Sequence, residues 1–551
     1  MGRPHVAVVT LGLLLATSAC SSMQPRPDGE PTEPTPPSIS TPRVPPKVGA
    51  KPLPEVFESA DFIVTFPKAD VTSEQLAERH LGDRRRAWMI EDFTGARKFA
   101  AEHEVVIPRR DWNPVGVFPW GYQLIPVLVY HNISAEQKGR LSISTRNFEA
   151  QMRYLHAQGF RAVGLREFVE FTAGRRQLPR KCVLLAFDDG YKSFAIYARP
   201  VLKQLGFGAT LFVYTDYVGT GANSLSWQEL RTLVHEGFSV EAHSKTHGNL
   251  RRREGESEAD YEKRMQTELG HPLTLFKTNL GHTSDILAYP YGDTDDELLR
   301  HVAQHGYVVA FTVRRQANPA FVFPLKINRS QIYAEMTLEE FAKNLTVFQD
   351  EDLSAGTTSD SLGPASAEAT PAQPQPPSSS APSATWPRER IVAFHNERAE
   401  TLERWGRLRQ ALDERLIVLT IDPSDRRAQE ASKRLTARIG REVTNLVGEG
   451  RAVLGRGLLG LARQRLLAAL ALDPTNRTAF ETLKNDVREV TFIAHTIRPG
   501  DTLASIAELY YGDRFRAEVI AETNRLSVNA RLVAGRTLRI PEIPGVPILP
   551  H

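Results

Sequence analysis

Leu184-Leu185-Ala186-Phe187-Asp188-Asp189-Gly190 is an apolar run that ends in two adjacent carboxylates and a glycine. It reads as a buried strand delivering acids to a turn. Downstream, after a second apolar stretch at 238–240, stands His243-Ser244-Lys245-Thr246-His247. One carboxylate and two imidazoles form a three-ligand set for a divalent metal with room for water, and the other carboxylate is left to act as a base. Each half alone carries little weight. Asp-Asp-Gly is a common turn sequence, and two histidines four apart often only pack.

Outward from that stretch, residues 123–348 alternate apolar runs with amphipathic segments. Strands are predicted at 125–130, 183–187, 209–214, 238–242, 285–289 and 308–313, and helices at 147–158, 194–205, 227–235 and 296–305. Repeated β-α units place the chain in the α/β class, with a parallel sheet that closes most simply into a (β/α) barrel. Chemistry in such a barrel sits at the C-terminal ends of the strands. Asp188-Asp189 and His243 fall there, and Leu287-Ala288-Tyr289-Pro290-Tyr291-Gly292 ends another strand.

In combination these motifs resemble the polysaccharide deacetylase family, the NodB-homology domain of carbohydrate esterase family 4, over about two fifths of the chain. The resemblance implies that Asp188 is the general base and that Asp189, His243 and His247 hold a divalent metal, with Zn2+ the expected ion. It also implies that the backbone amide of Tyr291 helps hold the oxyanion. The family needs a histidine to protonate the departing amine, and no Leu-x-x-His follows Val313 within the domain. Instead Val127-Leu128-Val129-Tyr130-His131-Asn132 opens it, which resembles the branch acting on exported poly-N-acetylglucosamine, so the acid is assigned to His131.

The chemistry is consistent with those roles. An amide is a poor electrophile and needs a Lewis acid, a carboxylate not occupied by metal must take the proton, and histidine titrates near neutrality without help. Three features depart from the family pattern or stay open. Ala186 replaces the usual threonine. Ala288 replaces the usual arginine of the third motif, so another group must tune Asp188; Arg329 is a candidate, with a plain surface ion pair as the other reading. Trp112, Trp120 and Tyr122 could form a sugar-stacking platform, although such a cluster is more often core.

The remaining chain surrounds this domain. A length of 551 residues predicts several domains. A net charge of +3 with 24% charged residues gives nucleic-acid binding no support. Residues 1–19 read as a signal peptide, and Cys20 directly after small residues resembles a bacterial lipobox, with Thr17 where leucine is usual. The expectation is export to the cell envelope and a membrane anchor through lipidated Cys20, against simple secretion. Cys182 would then stand alone, so no intrachain disulfide is expected in the mature protein. Residues 20–54 are a Pro-rich tether.

Residues 491–545, with Pro499-Gly500-Asp501-Thr502 as a turn and N-cap signal, resemble the LysM module. That family has a β-α-α-β fold and binds N-acetylglucosamine polymers such as peptidoglycan. Residues 55–122 contain a degenerate copy: Ala77, Gly82, Asp83, Arg84, Arg86, Ala87 and Ile90 match Ala507, Gly512, Asp513, Arg514, Arg516, Ala517 and Ile520 at one offset. It lacks the Pro-Gly-Asp-Thr start and reads equally as a spacer. Residues 351–386 are a disordered linker. Residues 387–490 repeat at an offset of 51, with Asp422-Pro423 matching Asp473-Pro474, and resemble tetratricopeptide-like hairpins that bind a protein partner or only stack. His395 is expected to pack on a helix face. The combined reading is a metal-dependent N-deacetylase of peptidoglycan or poly-N-acetylglucosamine. The alternatives are an inactive glycan-binding scaffold and an O-acetyl polysaccharide esterase.

Overall fold

The computed structural model describes residues 55–135, 139–354, 382–456, 458–487, 492–524, 526–543 and 546–549. The expected signal peptide, lipidated Cys20, tether and most of the expected linker lie outside them. Among the described residues no helix is long and apolar enough to cross a membrane.

Seven parallel strands build the central domain: β1 (Val127–Tyr130), β2 (Cys182–Asp189), β3 (Thr210–Val213), β4 (Ser239–Ala242), β5 (Ile286–Ala288), β6 (Val309–Phe311) and β7 (Ser330–Gln331). They pair in the order β6-β5-β4-β3-β2-β1-β7, and an eighth strand of two residues, Arg161–Ala162, pairs in parallel with the start of β2 off this path. The two ends meet through Ile327, whose N–H donates to Ala310 and whose carbonyl accepts from Thr312, so the sheet closes on itself. The (β/α) barrel is thus the observed architecture. All eight residues of β2 are buried, because a parallel strand is covered on both faces. Its even residues Leu184 and Ala186 pack with Val127, Val129, Phe212, Ile286, Ala288 and Phe311 inside the barrel. Its odd residues Val183, Leu185 and Phe187 pack outward under the helices. By that alternation Asp188 points inward at the top of the barrel's interior.

The expected strands and helices are present with ends shifted by up to two residues, and the helix at 227–235 coincides with Trp227–His235. The segment expected as one helix at 194–205 is a wide turn, Phe194–Ala198, followed by the α-helix Arg199–Leu205. Gly121–Gln123 pairs with Phe348–Asp350, so the barrel domain takes in residues on both sides of the expected boundary after 122.

The two LysM-like copies share one local plan. Ser73–Leu81 and Leu503–Tyr511 each start at a threonine capping box and end at a left-handed glycine, Gly82 or Gly512. A short 3-10 turn then follows, capped by Asp83 or Asp513, and then a second helix. The helical region repeats likewise. Leu408–Ile421 and Leu459–Leu472 are 51 apart, and each stops at an aspartate in the same extended conformation.

The N-terminal copy and the helices lie at the end of the barrel where strands begin. Arg463 donates to the Tyr122 hydroxyl at 2.6 Å, and Lys484 and Arg477 donate to the carbonyls of Thr172 and Ala173. His395 does more than pack on its helix. It is buried between Glu104 (3.0 Å) and Glu414 (2.7 Å). Burial opposes its charge, but the two carboxylates outweigh it and push the imidazole up to about 9. His395 therefore ties the N-terminal copy to the helices as an ion pair.

Candidate active site

Asp188 is 3% exposed at the C-terminal end of β2. Its Oδ1 accepts from Arg329 Nη1 at 2.7 Å, while Arg329 Nε donates to the Thr312 carbonyl at 2.8 Å. Arg329 itself is fully buried and lies over Phe212 and Phe311 (5.5 and 6.0 Å), the top of the barrel's apolar interior. Burial alone would raise the Asp188 carboxyl. Arg329 above all, then His243 and His131, outweigh burial and hold it below the usual range. The arginine missing at Ala288 thus has a geometric counterpart just before β7, across the barrel, and the surface-pair reading of Arg329 does not describe this structure.

Removing that partner strands a buried charge, which costs about 3–5 kcal/mol. Arg329→Met should lower stability by that order and raise the Asp188 carboxyl. A base is lost once it is protonated, so the acid limb of the pH–rate profile should move to higher pH, and Arg329→Lys should move it less. An acid limb that stays in place in Arg329→Met would separate Arg329 from the base.

Asp189 follows Asp188 but turns away from the strand. His247 Nε2 lies 3.2 Å and His243 Nε2 3.6 Å from its Oδ1, and the three side chains form one candidate donor set. His243 Nδ1 lies 2.7 Å from the Ala288 carbonyl. A carbonyl only accepts, so Nδ1 carries the proton and Nε2 presents its lone pair to the set. Asp189 Oδ1 is buried without a hydrogen-bond partner. Ligands about 2.1 Å from a tetrahedral ion stand roughly 3.4 Å from one another, which the two measured separations bracket. The residues therefore fit a divalent ion. Burial also opposes ionisation of Asp189, yet His247, His131 and His243 hold it down to about 2.

Backbone strain is concentrated here. Among the described residues five non-glycines have positive φ, and four of them are Asp189 (73°), Ser244 (70°), His247 (63°) and Tyr291 (61°). Each costs about 1–3 kcal/mol and persists only where the surroundings impose it. For the histidine loop those surroundings include Glu268. It is buried and accepts from the amides of Lys245 (3.2 Å) and Thr246 (2.9 Å) and from the Thr246 hydroxyl (2.7 Å). The Ser244 hydroxyl accepts from the His247 amide at 3.0 Å.

His131 follows β1 at the same barrel end, near enough for its charge to act on both aspartates. Its Nδ1 is buried without a hydrogen-bond partner, the kind of orphan that marks a functional or ligand-filled place. Tyr291 is 61% exposed, with its ring 5.0 Å from that of His247. Tyr214, Tyr217 and Tyr191 continue from His247 as an aromatic shelf, with ring centroids 5.1, 5.2 and 5.7 Å apart in succession. Sequence reading missed this shelf. The available signal was position, since Tyr214 and Tyr217 directly follow the C-terminal end of β3. Trp112, Trp120 and Tyr122 precede the N-terminal end of β1 instead, at the opposite end of the barrel. There they pack against Phe93, Phe118 and Phe321.

A closed (β/α) barrel with a paired, ionised carboxylate beside a carboxylate–imidazole donor set is suited to metal-assisted hydrolysis. A family profile described as polysaccharide deacetylase matches residues 175–310, and one described as LysM domain matches residues 495–541. Residues 175–310 are thus similar to polysaccharide deacetylases and residues 495–541 to LysM domains. The first match takes in Asp188, Asp189, His243, His247 and Tyr291, while His131 and Arg329 fall outside it on either side. A Bacillus subtilis protein named for the same family, YxkH, is 29% identical over 188 residues, 34% of this chain and 64% of its own. The poly-beta-1,6-N-acetyl-D-glucosamine N-deacetylase of Escherichia coli K12 is 23% identical over 270 residues, 42% of this chain and 40% of its own. The solved Streptococcus pyogenes deacetylase PplD in complex with acetate aligns with 40% of this chain and 98% of its own, at 24% identity and a TM-score of 0.37. The chain spans less than two thirds of the length of either curated relative.

Proposed function

We propose that this chain hydrolyses the N-acetyl groups of an N-acetylglucosamine polysaccharide in the cell envelope, with poly-β-1,6-N-acetylglucosamine as the preferred substrate. The observation that carries this reading is the unequal partnering of two adjacent acids: Asp188 pairs with Arg329 at 2.7 Å and has His243 Nε2 at 3.8 Å, while Asp189 has His247 at 3.2 Å and His243 at 3.6 Å. The substrate is supported by the name of the Escherichia coli relative and by a histidine at the start of the domain. Asp189, His243 and His247 would hold the metal, most simply Zn2+. When bound, such an ion supplies Lewis acidity to the acetamide carbonyl and to water.

The chain's own residues divide the remaining work. Asp188, kept ionised by Arg329, accepts a proton as water adds to the carbonyl carbon. The Tyr291 amide donates to the oxygen that gains charge. His131 gives a proton to the nitrogen as the carbon–nitrogen bond breaks, so acetate and a free amine leave. The shelf of Tyr214 and Tyr217 offers flat apolar surface to a sugar ring.

The LysM domain favours the envelope as the place of action and keeps peptidoglycan as a second substrate. Anchoring through lipidated Cys20, and a protein partner for the helical repeats, complete the proposal. Acetate release should be measured side by side on poly-β-1,6-N-acetylglucosamine, peptidoglycan, chitin oligomers and an O-acetylated glycan. The first should be fastest. Fastest release from peptidoglycan would transfer the substrate, and release from the O-acetylated glycan alone would make the chain an esterase. Release from none would make it a scaffold.

A further inference from the structure

The LysM domain sits on the catalytic end of the barrel, and its contact there is built from buried side chains. Phe515 is 5% exposed and belongs to the apolar cluster of the barrel's outer face. Its ring stacks on Tyr333 (5.6 Å between centroids, 27° between planes). Arg140 covers the Tyr333 ring at 3.6 Å, and Arg315 lies 5.5 Å from both rings. Arg516, also buried, donates to the Arg315 carbonyl at 3.2 Å and to the Lys343 carbonyl at 2.9 Å. Glu518 accepts from the Tyr333 hydroxyl and faces Arg315 at 3.9 Å. Arg514 pairs with Glu340 at 3.1 Å and Arg314 with Glu522 at 3.8 Å.

The same barrel segment serves the site. The Thr312 carbonyl holds Arg329, and Arg329 holds Asp188. Val313 packs so closely on the Tyr291 loop that a Cβ on Gly292 would meet the Val313 amide nitrogen at 2.6 Å. Arg314 and Arg315 come next in sequence and carry the LysM contacts. One stretch of four residues thus touches the Asp188 partner, the Tyr291 loop and the LysM domain.

The N-terminal copy provides an internal comparison. It keeps the framework, with Asp83 and Arg86 where the C-terminal copy has Asp513 and Arg516. At the position of Phe515 it has Arg85, whose side chain is 88% exposed and paired with Asp83. The module therefore folds without an aromatic residue there. Phe515 is particular to the copy seated on the barrel.

We propose that the LysM domain is a fixed extension of the active-site rim, so that a glycan chain held by it is delivered to the metal site, with Phe515 as a positioning residue for polymeric substrate. The inference rests on the deacetylase reading above. A domain on a loose tether would only raise the local concentration of polymer, whereas a docked one also fixes the span between its bound sugars and Asp188.

Phe515→Arg in the full chain copies the residue of the N-terminal module and sets a guanidinium among Arg140, Arg315 and Arg514. Small-angle scattering should show the domain released, while sedimentation with insoluble polymer should show glycan binding retained. Acetate release from the polymer should then fall about tenfold in kcat/KM, with release from a short oligomer unchanged. Unchanged polymer turnover in a released variant, or polymer and oligomer turnover falling together, would overturn the proposal and leave the deacetylase reading standing. An unchanged scattering profile would overturn the claim that this contact holds the domain. No acetate from the wild-type chain on any N-acetylated substrate would instead remove the deacetylase reading, and the proposal with it.

Discussion

Asp188→Asn should lower turnover about 10³-fold while the chain still binds one divalent ion. The expectation follows from the separate environments of the two acids. Asp188 faces Arg329 at 2.7 Å in the barrel's interior, whereas Asp189 lies nearest the two imidazoles. An asparagine at 188 keeps the volume and a carbonyl oxygen for Arg329, but it cannot accept a proton at neutral pH. Metal content by atomic spectroscopy, measured beside acetate release, separates base from ligand. Loss of metal and turnover together would mean that the two acids exchange roles.

His243→Ala should abolish both metal binding and turnover, with acetate release at background. His243 is nearly fully buried, and its tautomer is fixed by the Ala288 carbonyl, so neither water nor a neighbouring side chain readily takes its place. A three-residue set reduced to two loses the donor number that a structured divalent site needs. His243→Gln, which keeps a polar side chain, should retain weak metal binding at most. Full metal occupancy in His243→Ala would remove the residue from the set.

The barrel and its chemistry differ in how far the sequence discloses them. The run 184–187 announces a strand buried on both faces, and period-two alternation from Leu184 already directs Asp188 inward. The two histidines and the Tyr289–Gly292 turn were legible because each follows an apolar strand run. The closing strand Ser330–Gln331 was not, since two polar residues carry no periodicity and pair only because β1 and Ile327 frame them. Arg329 was readable as a candidate for Asp188 but not as a buried residue. Its burial depends on Phe212 and Phe311 lying beneath it from distant strands.

The helical stretch Glu258–Leu280 escaped for a local reason. Its charged first turns and the Gly270-His271-Pro272 interruption mask a helix that passes through a wide turn at Gln266–Gly270. Glu268, which braces the histidine loop, lies in that turn. Duplication was legible at both offsets because capping residues and turn glycines recur. The seat of the LysM domain was not, because Arg315, Tyr333, Phe515 and Glu518 are ordinary residues until the fold brings them together.

The most direct test strips the full chain of metal with a chelator and follows acetate release from poly-β-1,6-N-acetylglucosamine before and after stepwise return of Zn2+. The stripped chain should release none, and activity should return in proportion to occupancy, reaching its plateau at one ion per chain. Undiminished acetate release from the chain with no bound metal would contradict the assignment of Asp189, His243 and His247.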